Sequence, residues 1–75
     1  MSDPVEVPIE DDVIRLGQFL KLANLIDSGA EAKTVIAEGL VRVNDEVELR
    51  RGRQLFAGDV VLLAGRKVRV AGRRR

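Results

Sequence analysis

The sequence contains neither cysteine nor histidine. Without cysteine there is no disulfide framework and no thiolate metal site, although small secreted domains of this size usually depend on disulfides. The absence of histidine removes the commonest general base and the commonest metal ligand. We therefore expect a cytoplasmic protein that holds no metal and no cofactor.

Apolar runs, serines and glycine-rich loops are also scarce. No apolar run approaches the roughly 20 residues that span a bilayer, and residues 1–12 are acidic, unlike the basic start of a signal peptide. The serines are Ser2, in the N-terminal segment, and Ser28, at the expected start of a helix. No phosphate loop of the form GxxxxGK is present. We therefore expect no membrane segment and no catalytic activity.

Charged residues are abundant, and their signs are unevenly distributed. The chain has 13 basic and 12 acidic side chains, which gives a net charge of +1. Residues 1–48 carry 4 basic and 11 acidic side chains, a net −7, whereas residues 49–75 carry 9 basic and 1 acidic, a net +8. This polarity favours a basic face that binds a polyanion such as nucleic acid. Chance unevenness in a short chain is the alternative.

Aromatic residues are limited to two phenylalanines, with no tryptophan and no tyrosine. Phe19 falls on the apolar stripe of a predicted helix, which leaves Phe56. Proteins that bind single strands usually offer several aromatic side chains on which bases stack. If nucleic acid is the ligand, the composition therefore favours structured RNA or a duplex, recognised by shape and phosphate contacts.

The chain of 75 residues is long enough for one small domain. Residues 1–12 contain two prolines and five acids and are predicted to form an acidic arm, with a short edge strand near residues 5–7. The domain is predicted over 13–71, followed by a basic tail over 72–75. The opposed charges suggest the hypothesis that the arm masks the basic face, in which case deletion of residues 1–12 tightens RNA binding at low salt.

The stretch VIRLGQFLKLANLI is predicted to form the first helix. Leu16, Phe19, Leu20 and Ala23 follow the i, i+3, i+4, i+7 spacing of one buried face. The helix is expected to end at Asn24 or at the DSG soon after it. We assign this apolar stripe to the core and give it no functional role.

The stretch SGAEAKTVIAEG is predicted to form a second helix with a signal at each end. Ser28 is a favourable N-cap, and Glu31, three residues later, completes a capping box. Gly39 fits the left-handed position that ends a helix. The short link between the two helices predicts a helical hairpin.

After the second helix the pattern alternates with period two, which predicts a β-hairpin around Asn44 and Asp45. A two-residue loop at these positions would mix apolar and charged faces, so we predict a three-residue loop or a bulge. Two further strands are predicted, over 60–63 and 67–70. The favoured register pairs Val43 with Val47, Val41 with Leu49 and Arg42 with Glu48.

The segment RRGR places three arginines around one glycine, at Arg50, Arg51 and Arg53. The guanidinium group is planar and matches the geometry of phosphate oxygens. Because no acidic residue closely follows these arginines, the sequence suggests no partner for them. We call residues 50–53 the arginine loop and predict that it contacts RNA.

The stretch IRLGQFLKLANLIDSGAEAKTVIAEGLVRVNDEVELRRGRQLFAGDVV resembles the S4-type RNA-binding domain, also called the αL motif. It is similar in particular to small stand-alone bacterial members. The features that carry the resemblance are RL…FL, then SGAEAK…I…G.V.VN, and finally L..GD.V. They come in order, at the right spacing, and cover about residues 14–63.

The resemblance implies an α+β fold, in which a two-helix hairpin packs on a small antiparallel β-sheet. It also implies a monomer that binds structured RNA, ribosomal or transfer RNA, between the helices and the hairpin turn. The alternatives are solvated helix charges at Arg15 and Lys33, pairing of Arg42 with Glu48, and a turn role for Asn44. The candidate RNA-binding residues are Arg15, Lys33, Arg42, Asn44, Arg50, Arg51 and Arg53.

Three positions depart from the family pattern. Gly17 stands where many members carry aspartate, which predicts a weaker cap for the first helix. Gly29 and Ala30 stand where ribosomal members carry basic residues, and Asp45 replaces the usual glycine of VNG. We therefore expect the arginine loop to contribute more of the affinity than in typical members.

A second functional hypothesis is a protein-interaction adaptor on the ribosome or another assembly, in which the basic face binds an acidic partner. Salt titration separates the two hypotheses. If RNA is the ligand, affinity should fall steeply as salt rises, because phosphate binding releases condensed counterions.

Overall fold

A computed structural model describes residues 4–72, so the tail arginines Arg73–Arg75 lie outside the described residues. The chain begins with strand β1 and alternates short elements with tight turns. In chain order the elements are β1 (Val5–Pro8), β2 (Val13–Arg15), α1 (Leu16–Leu22), α2 (Gly29–Ala37), β3 (Val41–Val43), β4 (Glu46–Val47), β5 (Gln54–Phe56), β6 (Val60–Leu63) and β7 (Arg66–Ala71).

The main sheet has five strands in the order β1-β7-β6-β3-β4, and β2 and β5 form a separate antiparallel pair. The pairs β7–β6, β6–β3 and β3–β4 are antiparallel. Strand β1 pairs with β7 in parallel, which makes the sheet mixed. The predicted α+β class, with two helices on a small sheet, is confirmed, and the parallel edge strand is an addition to it.

Strand β1 is an integral part of this sheet. Its residue Val7 pairs with Val70, and Glu6 forms an ion pair with Arg69 at 3.2 Å. The predicted edge strand near residues 5–7 is therefore present. Residues 5–8 are held by β7 and are not free to cover the arginine loop, which weakens the masking hypothesis for this part of the arm.

Helix α1 begins later than predicted and ends at the first of the two predicted positions. Val13–Arg15 pairs with β5 as strand β2, because β-branched Val13 and Ile14 favour an extended backbone. At the other end, Asn24 has a φ of 60°, which places it in the left-handed region beyond the helix. Leu16, Phe19 and Leu20 are fully buried, as the spacing predicts.

Helix α2 has the predicted signals at both ends. The Glu31 amide donates to the Ser28 hydroxyl at 3.2 Å, and the Glu31 carboxylate accepts from the Asp27 amide at 2.9 Å. Gly39 has a φ of 75° and its amide donates to the Ile36 carbonyl at 3.1 Å. The cap and the stop are thus local features that the sequence encodes directly.

The predicted hairpin register is wrong. Arg42 pairs with Val47 and Val43 with Glu46, so the loop is the two-residue Asn44-Asp45 that we rejected. Its residues have φ values of 52° and 71°, as a type I′ turn requires. Asparagine and aspartate adopt this geometry readily, and it matches the twist of the flanking strands.

The true register places Glu48 beside Val41, where the Glu48 amide donates to the Val41 carbonyl at 3.0 Å. Val41 is fully buried, and Glu48 is 6% exposed. Val47 and Leu49, which we had paired with Val43 and Val41 on the buried face, are 48% and 62% exposed. The prediction failed because it assumed that an apolar residue must oppose each valine.

The core lies between the helices and the inner face of the main sheet. It is closed on one side by Ile14 and Leu55 of the β2–β5 pair. The buried hydrophobic residues are Ile9, Leu16, Phe19, Leu20, Ile26, Ala32, Ile36, Val41, Val43, Leu55, Val61, Leu63, Val68 and Val70.

Candidate nucleic-acid interface

The arginine loop is bonded to the N-terminus of α1. The Leu16 amide donates to the Arg53 carbonyl at 2.8 Å, and the Gly17 amide donates to the Arg51 carbonyl at 3.0 Å. The N-cap residue, Arg15, supplies no side-chain hydrogen bond. The loop carbonyls therefore satisfy the first free amides of a helix that has no side-chain cap.

A groove of about 440 Å³ lies where this loop meets the two helices. Three of its lining residues are cations, and none of those within residues 4–72 is acidic. It lies on the helix side of the molecule, between α1, the start of α2 and the arginine loop. Its lining residues are Arg15, Gly17, Gln18, Lys21, Gly29, Ala32, Arg51 and Gly52.

The groove brings together Arg15 and Arg51, two of the predicted RNA-binding residues. Both side chains are exposed, and neither forms an ion pair with another residue in the range 4–72. Lys33 is exposed on α2, one turn after the groove residue Gly29. Arg15 and Arg51 thus share a site, and Lys33 lies on the same side of α2 as Gly29.

Lys21 is a groove residue that the sequence reasoning missed, since it was not among the candidate RNA-binding residues. Its spacing from Gln18, three residues before it, puts both on one helix face. Gln18 in turn lies three residues after Arg15. This run of polar and basic residues at helical spacing is the signal that could have identified Lys21.

Gly17 allows the Arg51 side chain to lie against α1. A Cβ atom added at Gly17 would lie 2.8 Å from Cγ of Arg51, which is closer than two carbon atoms can approach. Gly29, in the same groove, has no atom within 4 Å of an added Cβ. The two glycines therefore offer a matched pair of substitutions.

Replacement of Gly17 by alanine should move the Arg51 side chain out of the groove. If Arg51 contacts phosphate, RNA affinity at about 0.1 M salt should fall roughly fivefold, which is the contribution of one cation. Gly29→Ala adds a methyl group that meets no atom within 4 Å, so it should leave Arg51 in place and lose less affinity than Gly17→Ala. Fluorescence anisotropy with labelled RNA measures both variants, and equal affinities would contradict the role of Arg51.

Arg50 and Arg53 have a partner that the sequence did not suggest. The buried Glu48 carboxylate accepts from Nε of Arg50 at 3.1 Å and from Nη1 of Arg53 at 2.9 Å. The hydrogen bonds from Arg50 and then Arg53 lower the pKa of Glu48 from 4.5 to about 2, against the opposing effect of burial. These two arginines therefore hold the loop in place, and Arg51 is left with its guanidinium free of any partner within residues 4–72.

Arg42 does not pair with Glu48, contrary to the predicted register. Its neighbours Val41 and Val43 are buried, so Arg42 points to the outer face of the sheet, where it pairs with Leu62. Its Nη1 lies 3.5 Å from the Asp45 carbonyl oxygen. Arg42 is therefore on the face of the sheet opposite the helices and the groove.

Asn44 is tied to strand β6. Its Nδ2 donates to Asp59 Oδ1 at 3.1 Å, and its Oδ1 accepts from the Val60 amide at 3.0 Å. Both ends of the side-chain amide are thus engaged within the fold. This geometry favours the turn role that we had kept as an alternative to RNA contact.

The basic residues of β7 form a surface separate from the groove. Lys67 pairs with Leu62, which also pairs with Arg42, so the two cations flank Leu62 on the outer face of the sheet. Arg69 is paired with Glu6, and Arg66 donates to the Asn24 carbonyl at 3.4 Å. The positive charge of the second half is therefore divided between two faces.

Other kinds of site were sought in the same part of the chain. Residues 4–72 contain no group of three or more acidic side chains that could hold a metal ion. Among these residues, neither helix has the length and hydrophobicity needed to cross a membrane.

Comparison with known proteins identifies relatives along most of the chain. A family model described as "S4 domain" matches residues 7–71. The "Probable ribosome maturation protein RlbA" of Bacillus subtilis (strain 168) is 51% identical over 65 residues, which cover 87% of this chain and 89% of that protein. The "Putative RNA-binding protein YbcJ" of Escherichia coli (strain K12) is 44% identical over 57 residues, or 76% and 81%.

Solved structures give the same assignment. The solution structure of YbcJ from Escherichia coli, described as revealing an αL motif involved in RNA binding, matches with a TM-score of 0.70 and 38% identity. The match covers 95% of this chain and 91% of that one. The ribosomal protein S4e of Thermoplasma acidophilum matches with a TM-score of 0.61 and 25% identity, over 80% of this chain and 32% of that one. By sequence and by fold, the chain belongs to the S4 domain family.

Proposed function

We propose that this protein binds structured RNA without catalysis, through the basic groove between α1, α2 and the arginine loop. The observation that carries the proposal is the convergence of Arg15, Lys21 and Arg51 on one groove, which no acidic residue of the range 4–72 lines. Membership of the S4 domain family supports the same ligand class.

Ribosomal RNA is the ligand that we favour over transfer RNA. The description of RlbA as a probable ribosome maturation protein supports a ribosomal ligand, and that of YbcJ supports RNA binding in general. In this proposal the protein acts in the cytoplasm, as a monomer, on ribosomal RNA during assembly.

The proposed mechanism is neutralisation of phosphates by side chains held on rigid elements. Arg15 lies at the start of α1 and Lys21 in its last turn. Arg51, from the arginine loop, lies against Gly17 of the same helix, and all three cations line the groove. Lys33 extends the contact along α2. Such contacts fix the position and orientation of the RNA, while its shape sets the register.

The remaining predicted residues receive different roles in this proposal. Arg50, whose side chain is 76% exposed, keeps further N–H groups for a phosphate while it holds Glu48. Arg53 positions the loop. Arg42 and Lys67 form a secondary surface on the opposite face of the sheet, and Asn44 shapes the turn.

A salt titration against a folded hairpin of ribosomal RNA tests the proposal. With four cations on phosphates, the logarithm of the association constant should fall with the logarithm of salt concentration at a slope of about −3.5. An unstructured strand of equal length should bind more weakly, because few aromatic side chains can stack its bases. A slope near zero, or equal affinity for polyglutamate, would contradict the proposal and favour an acidic protein partner.

A further inference from the structure

A second groove, larger than the basic one, lies on the other side of α1. It has a volume of about 990 Å³ and is bounded by the end of β1, the segment that follows it, β2 and α1. Most of its lining is apolar, and two acids lie in one wall. The lining residues are Pro8, Ile9, Glu10, Asp11, Val13, Ile14, Gln18 and Leu22.

Ile9 and Ile14 of this groove also belong to the core or pack against it, but part of the apolar lining stays exposed. Leu22 is 50% exposed, although the buried stripe of α1 is complete with Leu16, Phe19 and Leu20. Val13 and Ile14 are partly buried. Covering these exposed apolar side chains would be favourable, by about 25 cal/mol for each Å² removed from water.

The charge of this groove is opposite to that of the basic groove. Glu10 and Asp11 are exposed, and neither is joined to another residue of the range 4–72 by a hydrogen bond or an ion pair. Among residues 4–72, no basic side chain lines the groove. Gln18 lines both grooves, so the two surfaces meet along α1.

This combination limits the occupant. The carboxylates of Glu10 and Asp11 repel RNA and other polyanions, including anionic lipid headgroups. The volume is at the upper limit of small-molecule pockets, which is large for a chain of 75 residues. A peptide with basic side chains and a few apolar anchors matches both features, because it covers the exposed leucine and neutralises the acids.

We propose that the acidic groove binds a cationic, partly apolar segment of a partner protein, which would then lie beside the RNA held in the basic groove. The binding chemistry of this second site does not depend on RNA. Proteins that bind the same polyanion often carry such basic segments, and α1 would place the two ligands on its two sides.

Peptide titration followed by ¹⁵N–¹H NMR of the full chain tests this proposal. The probes are three synthetic peptides of about 12 residues, one Lys/Leu amphipathic, one Glu/Leu of the same pattern and one Lys/Ser. The Lys/Leu peptide should shift the amide signals of Val13, Ile14 and Leu22. The Lys/Ser peptide should bind at least tenfold more weakly, and the Glu/Leu peptide should not bind.

Variants locate the site and its charge selectivity. Leu22→Glu should abolish binding of the Lys/Leu peptide, whereas Leu49→Glu, at a side chain 62% exposed near the arginine loop, should not. The double variant Glu10→Lys/Asp11→Lys should lose the Lys/Leu peptide and gain the Glu/Leu peptide. Leu22→Gln should also weaken binding of the Lys/Leu peptide, and because it adds no charge its RNA affinity should stay unchanged, which separates this site from the RNA site.

Three outcomes would overturn the proposal. One is an absence of shifts with the Lys/Leu peptide at millimolar concentration, and another is shifts confined to Leu40, Val47 and Leu49. The third is peptide binding that appears only after truncation at Gly72, since it would make the chain's own basic tail the occupant. The Ala71 carbonyl accepts from the Ile9 amide at 3.2 Å, so the tail starts beside the groove.

Discussion

Replacement of Glu48 by glutamine should lower the free energy of unfolding by about 2 kcal/mol, although no apolar contact is removed. Glu48 is 6% exposed and accepts hydrogen bonds from Arg50 and Arg53. Glutamine keeps the shape but loses the charge, so two charge-assisted bonds become neutral ones, and its amide group adds donors beside two other donors. For a domain of this size the melting temperature should fall by roughly 10 °C.

The exposed Glu46 of the same hairpin provides the control. Its replacement by glutamine should change the melting temperature by no more than about 2 °C, because exposed charges contribute little. Calorimetry or circular dichroism measures both variants. If Glu46→Gln destabilises as much as Glu48→Gln, general charge effects and not the buried carboxylate hold the hairpin.

The effect of Glu48→Gln should depend on pH in a defined direction. The pKa of Glu48 is lowered from 4.5 to about 2 in the folded protein. A group with a lowered pKa stabilises fully above its unfolded value and loses that contribution as pH falls through the folded value. The stability difference between wild type and Glu48→Gln should therefore be constant above about pH 5 and shrink towards pH 2. A difference that stays constant to pH 2.5 would show that the carboxylate charge is not responsible.

Replacement of Arg15, Lys21 and Arg51 together by glutamine should weaken RNA binding about 100-fold at about 0.1 M salt. Each cation removed should flatten the salt dependence by roughly one unit of slope, because one fewer counterion is released. Anisotropy titrations at several salt concentrations give both quantities. Arg50 and Arg53 are left intact in this variant, because their loss would also unpair the buried Glu48.

The control for this variant is Arg42→Gln/Lys67→Gln, on the outer face of the sheet. It removes two exposed cations that flank Leu62 on the outer face of the sheet, whereas the groove lies on the helix side. We expect a loss of affinity below about fivefold, from the general reduction in charge. If this pair costs as much as the groove triple, the RNA lies on the sheet and not in the groove.

The two predictions are linked by the arginine loop. Glu48 fixes Arg50 and Arg53, and the Arg51 and Arg53 carbonyls fix the first turn of α1. The buried carboxylate thus stabilises the loop that carries the free guanidinium of Arg51. Because a small domain buries only a modest core, the Glu48 ion pairs and the loop carbonyl hydrogen bonds add order at the proposed binding site.

Local features of the fold were predictable from the sequence. The apolar stripe of α1, the Ser28 cap and the Gly39 stop depend on residues within one or two turns of each other. The family resemblance supplied the layering of helices on a sheet. Of the candidate site, Arg15 and Arg51 were predicted and lie in one groove, whereas their role in RNA binding stays a prediction.

The errors arose where residues distant in sequence meet. The hairpin register depended on whether a charge could be buried beside Val41, and the alternation alone could not show that Arg50 and Arg53 neutralise Glu48. Helix α1 was predicted too long because the pairing of β2 with β5 joins segments about 40 residues apart. Lys21 was missed because a helix pattern does not show what faces its polar side.

The sequence by itself determined the helical hairpin, its caps, the alternating strands and the separation of charge between the two halves of the chain. These follow from periodicity and short-range hydrogen bonding, which act between near neighbours. The tertiary structure decided which arginines are paired, which face carries Arg42 and which cations share a groove. Those outcomes depend on contacts made in the folded chain. The buried Glu48 carboxylate pairs with Arg50 and Arg53 and not with Arg51, a distinction that three neighbouring arginines do not show in the sequence.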